Sequence, residues 1–224
     1  MKNIPMKKIP MKKISVFFSA LTLAFAAVSP AWADAAADVT ALQNEWDRVN
    51  FTLKKEEQVK PLEALIKQAQ AVNAANPGNA PALIWEGIIH ATYAGAKGGL
   101  GALGECKTAK SLFEQSIAID PKALDGAAYT SVGSLYYQVP GWPVGFGNDK
   151  TAEEMLKKGL AIGPQDLDAH YFYADFLITQ KRWKEAVDML QKGLAIPDNG
   201  QRPLFQQGRR SKMAVMLKTA QEEL

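Results

Sequence analysis

The chain has 224 residues, 47% of them hydrophobic and 22% charged. That is enough apolar material for one packed domain, and the composition excludes a disordered chain and a nucleic-acid binder. The formal charge of +3 misleads, because residues 1–33 hold five lysines and no acid, which leaves −2 for the remainder.

From the N-terminus, a basic stretch leads into the apolar run Ile14–Val28 and then Ala31-Trp32-Ala33. This is the pattern of an export signal removed after Ala33. The run is too short and too rich in alanine and serine for a permanent span, and no cysteine follows it to carry a lipid. The expectation is a periplasmic protein, mature and soluble from Asp34, with one domain over residues 34–224. A lone cysteine, Cys106, rules out an intramolecular disulfide.

Val39–Lys55 carries Val39, Leu42, Trp46, Val49 and Leu53 at spacings of three and four, an apolar stripe that predicts a docking helix. A second helix is predicted over Val59–Ala75, with Leu62, Leu65, Ile66, Ala69 and Val72 on one face and a stop at Asn76-Pro77-Gly78. Asn79–Ala94 reads as a third. Then Ala94–Gly104, with five glycines, breaks the pattern and predicts a loop. Helices resume at Ala109–Ile119, and a second glycine- and proline-rich stretch, Val139–Asp149, holds Trp142 and Phe146. Leu167–Pro197 is two amphipathic helices around a polar turn, Thr179–Lys184. Ala174, Ala186 and Gly193 are small enough there to let the backbones approach. Pro203–Leu224 predicts a terminal helix, with Leu204, Phe205, Met213, Val215, Met216 and Leu217 against the last repeat and Arg209, Arg210, Lys212 and Lys218 outward.

The chain repeats itself. Ala109–Pro121 (AKSLFEQSIAIDP) and Ala152–Pro164 (AEEMLKKGLAIGP) align without a gap, and Ala186–Pro197 (AVDMLQKGLAIP) is one residue shorter. A hairpin this small cannot bury its apolar face alone and must stack on copies of itself. The pattern resembles the tetratricopeptide repeat, which implies an all-α solenoid of helical hairpins. Pro77 to Pro121 is 44 residues and Pro121 to Pro164 is 43, against 33 for Pro164 to Pro197. Two consecutive units therefore carry extra residues at the turn between their helices, and both insertions should lie along one edge. Such loops either bind or cap the groove.

Projecting the first helix of each unit inward gives Asp168, Tyr171, Asp175 and Ile178 in one. The unit before it gives Asp125, Ala128, Val132 and Leu135, and the one before that Pro81, Ile84, Ile88 and Ala91. Two of these three sets are apolar, so the groove must be covered or filled, by the loops, by a hydrophobic small ligand or by a protein. The candidate contacts are Ile84, Ile88, Tyr93, Val132, Tyr136, Trp142, Phe146 and Tyr171.

Catalytic patterns are absent: no phosphate loop, no H-E-x-x-H and no nucleophile elbow. Glu86 and His90 share a helical face and read as a structural pair. Cys106 has no histidine near it in sequence to act as a base. No enzyme activity, cofactor, metal or nucleic-acid partner is expected.

Trp85–Gly104 (WEGIIHATYAGAKGGLGALG) and Tyr129–Pro164, with GWPVGFGND leading into a helix, resemble the repeat-containing T component of some tripartite ATP-independent periplasmic (TRAP) transporters. The resemblance covers about Asn79–Leu190. It implies a non-catalytic, trimeric protein that binds the transporter's substrate-binding component and handles apolar small molecules. This chain departs in lacking a lipid-anchor cysteine and in having fewer repeats. The other reading is an adaptor that organises an envelope complex without a small ligand.

Overall fold

Residues 30–99 and 101–224 are described by a computed structural model; residues 1–29, which hold most of the expected export segment, lie outside the described residues. The described residues form nine α-helices and no strand: α1 (Pro30–Thr52), α2 (Lys55–Ala75), α3 (Ala80–Lys97), α4 (Ala102–Ile119), α5 (Ala123–Gln138), α6 (Asp149–Ile162), α7 (Leu167–Thr179), α8 (Trp183–Leu194) and α9 (Pro203–Glu222). Several begin where the sequence supplies a cap. Asn79, Asn148 and Asp166 each accept a hydrogen bond from the backbone N–H three residues on, at Ala82, Thr151 and Ala169. Each such cap satisfies a donor that the first helical turn leaves without a partner.

Consecutive helices pair as hairpins, α3 with α4, α5 with α6 and α7 with α8, and the hairpins stack into an all-α repeat solenoid. Close approach is set by small residues. A Cβ added at Gly159 of α6 would collide with Thr130 Oγ1 and lie 3.0 Å from the Thr130 backbone nitrogen on α5. Ala174 of α7 and Ala186 of α8 are likewise small and fully buried. Large residues then fill the space alongside. Phe113, Leu156, Phe176 and Leu190 are buried at 2% exposure or less, each worth about 1.5–3 kcal/mol of apolar transfer.

The two insertions resolve differently. The first leaves only a short connection, because α3 runs on to Lys97 and α4 starts at Ala102, so most of the extra residues lengthen two helices. The expected loop over Ala94–Gly104 is thus confined to the break at Gly98 and Gly99, both at positive φ. Helix propensity loses to tertiary contact here, since Tyr93 and Ala94 are buried in the packed layer. The second insertion is a true loop, residues 139–148 between α5 and α6.

The solenoid does not end open. Helix α9 packs on α8 and α7 and also reaches back to α1. Phe51 of α1 lies so close to Gly208 that any Cβ there would strike its ring, and Phe51 meets Phe205 edge-on at 6.1 Å between centroids. With two buried faces, α9 cannot keep all its basic residues outward. Arg209 is 4% exposed, and Leu204 and Val215, expected to be inward, are exposed instead. Arg210 is half-buried and donates to the carbonyls of Leu194 and Ile196, at 3.0 and 2.7 Å. Lys212 and Lys218 stay outward as expected, Lys212 with its ammonium 5.1 Å from the centre of the Phe51 ring.

Candidate functional site

Two features lie outside ordinary repeat packing. The first is the loop over residues 139–148. Its backbone is tied internally: the Gly147 N–H donates to Pro140 O at 2.9 Å, Gly145 N–H to Gly141 O at 3.1 Å, and Asn148 N–H to Tyr136 O at 2.7 Å. Phe146 turns down and packs edge-on against Tyr136, centroids 5.6 Å apart, with the Lys110 ammonium over both rings. Trp142 points away. It is 90% exposed, and its neighbour Val144 is 65% exposed. A rigid backbone therefore holds a large aromatic side chain in solvent.

The second is a cavity of 720 Å³ inside the solenoid, between the first helices of the repeats and the returning α9. Its walls include Trp46, Trp85, Ile88, Phe172 and Phe205, together with Asp125, Asp166, Asp168, Arg202 and Arg209. The apolar groove expected from the sequence is therefore a partly enclosed chamber of mixed polarity. On α5 the cavity face is Ala127, Thr130, Ser131 and Ser134 instead of Ala128, Val132 and Leu135. The helix is turned by about one residue from the projection. Leu124, Asp125 and Gly126, at φ of 48°, 54° and 78°, form a left-handed turn at its start that resets the helical phase.

That turn is strained, since L-residues pay roughly 1–2 kcal/mol each in this region. Among the described residues four non-glycine residues have positive φ, and three of them, Leu124, Asp125 and Arg202, line the cavity. Strained backbone persists where packing over-determines it, often beside ligand sites. Electrostatics add to the picture. Arg202 donates from Nε and Nη2 to both oxygens of Asp47, with its guanidinium over Phe205 and Trp85 at 4.3 and 5.0 Å. Arg209 Nε sits 2.5 Å from Asp168 Oδ1, and its guanidinium lies 4.0 Å above the Tyr171 ring. Burial, followed by the charge of Asp168, raises the Asp166 carboxyl to about 7.

Of the eight expected contacts, Ile84, Tyr93 and Val132 are packed inside the core, at 0, 6 and 2% exposure. Ile84 and Tyr93 sit on faces of α3 that pack into the core, and Val132 is turned there by the phase change at the start of α5. Ile88 lines the cavity. Tyr136 and Phe146 support the loop, Tyr171 backs Arg209, and Trp142 stands free. Arg202, Arg209, Asp166 and Asp168 were missed as a group. The run of Asp166 and Asp168 was a legible signal, but the arginines that meet it come from a distant part of the chain.

Glu86 and His90 are buried, with Nε2 3.7 Å from Glu86 Oε1, too long for a hydrogen bond, while Nδ1 meets Glu105 Oε2 at 2.6 Å. Asn73 donates to the other Glu86 oxygen. Beside them the Cys106 thiol is pushed up by burial and by Glu105, away from the thiolate that a nucleophile needs.

Stacked hairpins with a closing end helix define an all-α helical-repeat solenoid, and one part of it carries the tetratricopeptide pattern. The tetratricopeptide repeat family model matches residues 147–208. Among solved structures the chain is similar to TTC0263, a thermophilic TPR protein in Thermus thermophilus, at 18% identity over 81% of this chain and 91% of that one, TM-score 0.51. It is also similar to MamA, at 16% identity over 84% and 92%, TM-score 0.43. No curated protein matches the sequence. Among the described residues no helix is long and apolar enough to cross a membrane.

Proposed function

We propose that this protein is an exported, non-catalytic repeat scaffold that docks a protein partner through the loop over residues 139–148. Trp142 is the anchor. The observation that carries the reading is a tryptophan 90% exposed on a backbone already held by its own hydrogen bonds. Exposed aromatics on pre-organised loops give large contact area at small entropic cost, and tryptophan is among the residues most enriched at interface hot spots.

The proposed partner is the periplasmic substrate-binding component of a TRAP-type transporter, supported by the resemblance of Tyr129–Pro164 and by the export pattern of residues 1–33. The same surface serves the adaptor reading, in which the partner belongs to another envelope complex and no small ligand takes part. Titrating the purified protein with the substrate-binding component of the same organism separates them. Saturable binding that falls by roughly 10-fold or more in Trp142→Ala supports the transporter reading. No binding to that component, with a photo-crosslinker at position 142 captured by a different envelope protein, favours the adaptor. Crosslinks at neither would remove the loop as a docking site.

A further inference from the structure

The cavity gives this protein a second place to act, separate from the docking loop. Its volume, 720 Å³, lies within the range of small-molecule sites, about 300–1,000 Å³, and its walls combine aromatic side chains with a few charged groups, as such sites require. The charges do not balance. Arg202 is taken up by Asp47, which lies behind the cavity wall, and Arg209 by Asp168. Both wall cations are thereby neutralised. Asp125 and Asp166 remain, and among the described residues neither carries an ion pair. They are neighbours: a Cβ at Gly163 would lie 3.0 Å from the Cβ of Asp125 and 3.1 Å from that of Asp166.

A third group lacks a partner. Trp85, 4% exposed and part of the cavity wall, has a buried indole N–H with no acceptor. A buried donor without a hydrogen bond is costly, so a ligand that brings an acceptor recovers that cost on binding. Aromatic faces and uncompensated carboxylates both favour positive charge.

We propose that the cavity binds a small organic cation, an amine on an apolar body that carries a hydrogen-bond acceptor. The ammonium sits between Asp125 and Asp166, the body lies against Phe172 and Phe205, and the acceptor takes the Trp85 N–H. An anion of the same shape would have to break the Asp47–Arg202 or Asp168–Arg209 pair to find a counter-charge. The state of Asp166 supports the assignment. Burial first, then Asp168 and Asp125, hold its carboxyl up at about 7, against the pull of the Ala169 N–H and of Arg209, so near neutral pH it is partly protonated, and a cation beside it would favour the charged form. Binding an ammonium there releases a proton.

The probe is phenylalaninamide, a cation with an aromatic body and a carbonyl acceptor, compared with its neutral N-acetyl derivative and with the anion 3-phenylpropanoate. Isothermal titration of the full chain at pH 7 should show saturable binding of the amine. The neutral and anionic probes should bind at least about tenfold more weakly. Titrations in buffers of different ionisation enthalpy should reveal proton release, and Asp166→Asn, which keeps the cap on Ala169, should abolish it and weaken binding by about tenfold. Asp125→Asn at the exposed rim should also weaken amine binding, in a variant with no buried group changed, and thermal melts confirm that both variants fold. Trp142→Ala should leave amine binding intact, so failure of the docking loop is distinguishable from failure of the cavity. The proposal is overturned if the amine does not bind below about 10 mM, or if either uncharged or anionic probe binds as tightly.

Discussion

Arg202 and Asp47 are 155 positions apart, yet two hydrogen bonds, of 2.6 and 2.9 Å, join the guanidinium to both carboxylate oxygens. The pair ties the end of the array to its start, and it turns an open superhelix into one with an interior. Asp47 is deeply buried, with its side chain 3% exposed, while the Arg202 side chain is 25% exposed. Removing the arginine therefore leaves a buried carboxylate alone. Arg202→Ala should cost about 3–5 kcal/mol in urea unfolding. Hydrogen exchange should show α9 losing protection before the central hairpins do. Uniform loss across all helices would mean that the closure is not a separate unit.

Gly159 tests the hairpin geometry. A single methyl there meets Thr130 Oγ1 and the backbone nitrogen at 3.0 Å, and backbone cannot step aside as a flexible side chain can. Gly159→Ala should destabilise by about 1–3 kcal/mol, and Gly159→Leu by more, both read as a lower urea midpoint with unchanged slope.

The loop aromatics have opposite roles. Trp142 makes no packing contact that its removal would leave empty, so Trp142→Ala should change stability by less than about 0.5 kcal/mol. Phe146 lies on Tyr136 and, partly buried, packs against the core cluster of the α3–α5 helices. Phe146→Ala should cost about 3 kcal/mol and lower the melting temperature. If Trp142→Ala melted lower instead, the residue would be a plug and not an anchor.

His90 makes stability depend on pH. Burial lowers its pKa, but Glu86 and Glu105 outweigh burial and the net shift is upward. A histidine raised on folding stabilises fully below its unfolded value of about 6.5, and the gain is lost as pH climbs through the folded value. The wild type should therefore unfold at progressively lower urea from near neutral pH upward, and His90→Gln should flatten that part of the profile.

Asp166 acts in the same direction over a lower window. Its folded carboxyl, at about 7, exceeds the unfolded value of about 3.9, so stability declines as pH rises between the two. Asp166→Asn keeps the helix cap and removes the charge. The variant should unfold at higher urea than wild type at pH 8 and match it at pH 4.

By itself the sequence determined most of the helices, the glycine-rich Ala94–Gly104 excepted, along with the hairpin repeat and the residues that let the hairpins close, because these depend on local spacing. A stripe at three and four residues, a cap at Asn148 or Asp166 and a small residue at Gly159 act within a few turns of chain. The same local rules placed Trp142 in a loop longer than its neighbours. Tertiary structure decided the interior. The left-handed turn at Leu124–Gly126 rotated α5 and exchanged Val132 for Ser131 on the cavity wall, a phase change that no count along an ideal helix includes. The return of α9 to α1 drew Arg209 inward from a stripe that reads as solvated, since a helix packed on two sides has no single outward face. The ion pairs Arg202–Asp47 and Arg209–Asp168 join residues 155 and 41 positions apart. Their energy comes from burial and close spacing in three dimensions, and sequence periodicity carries neither.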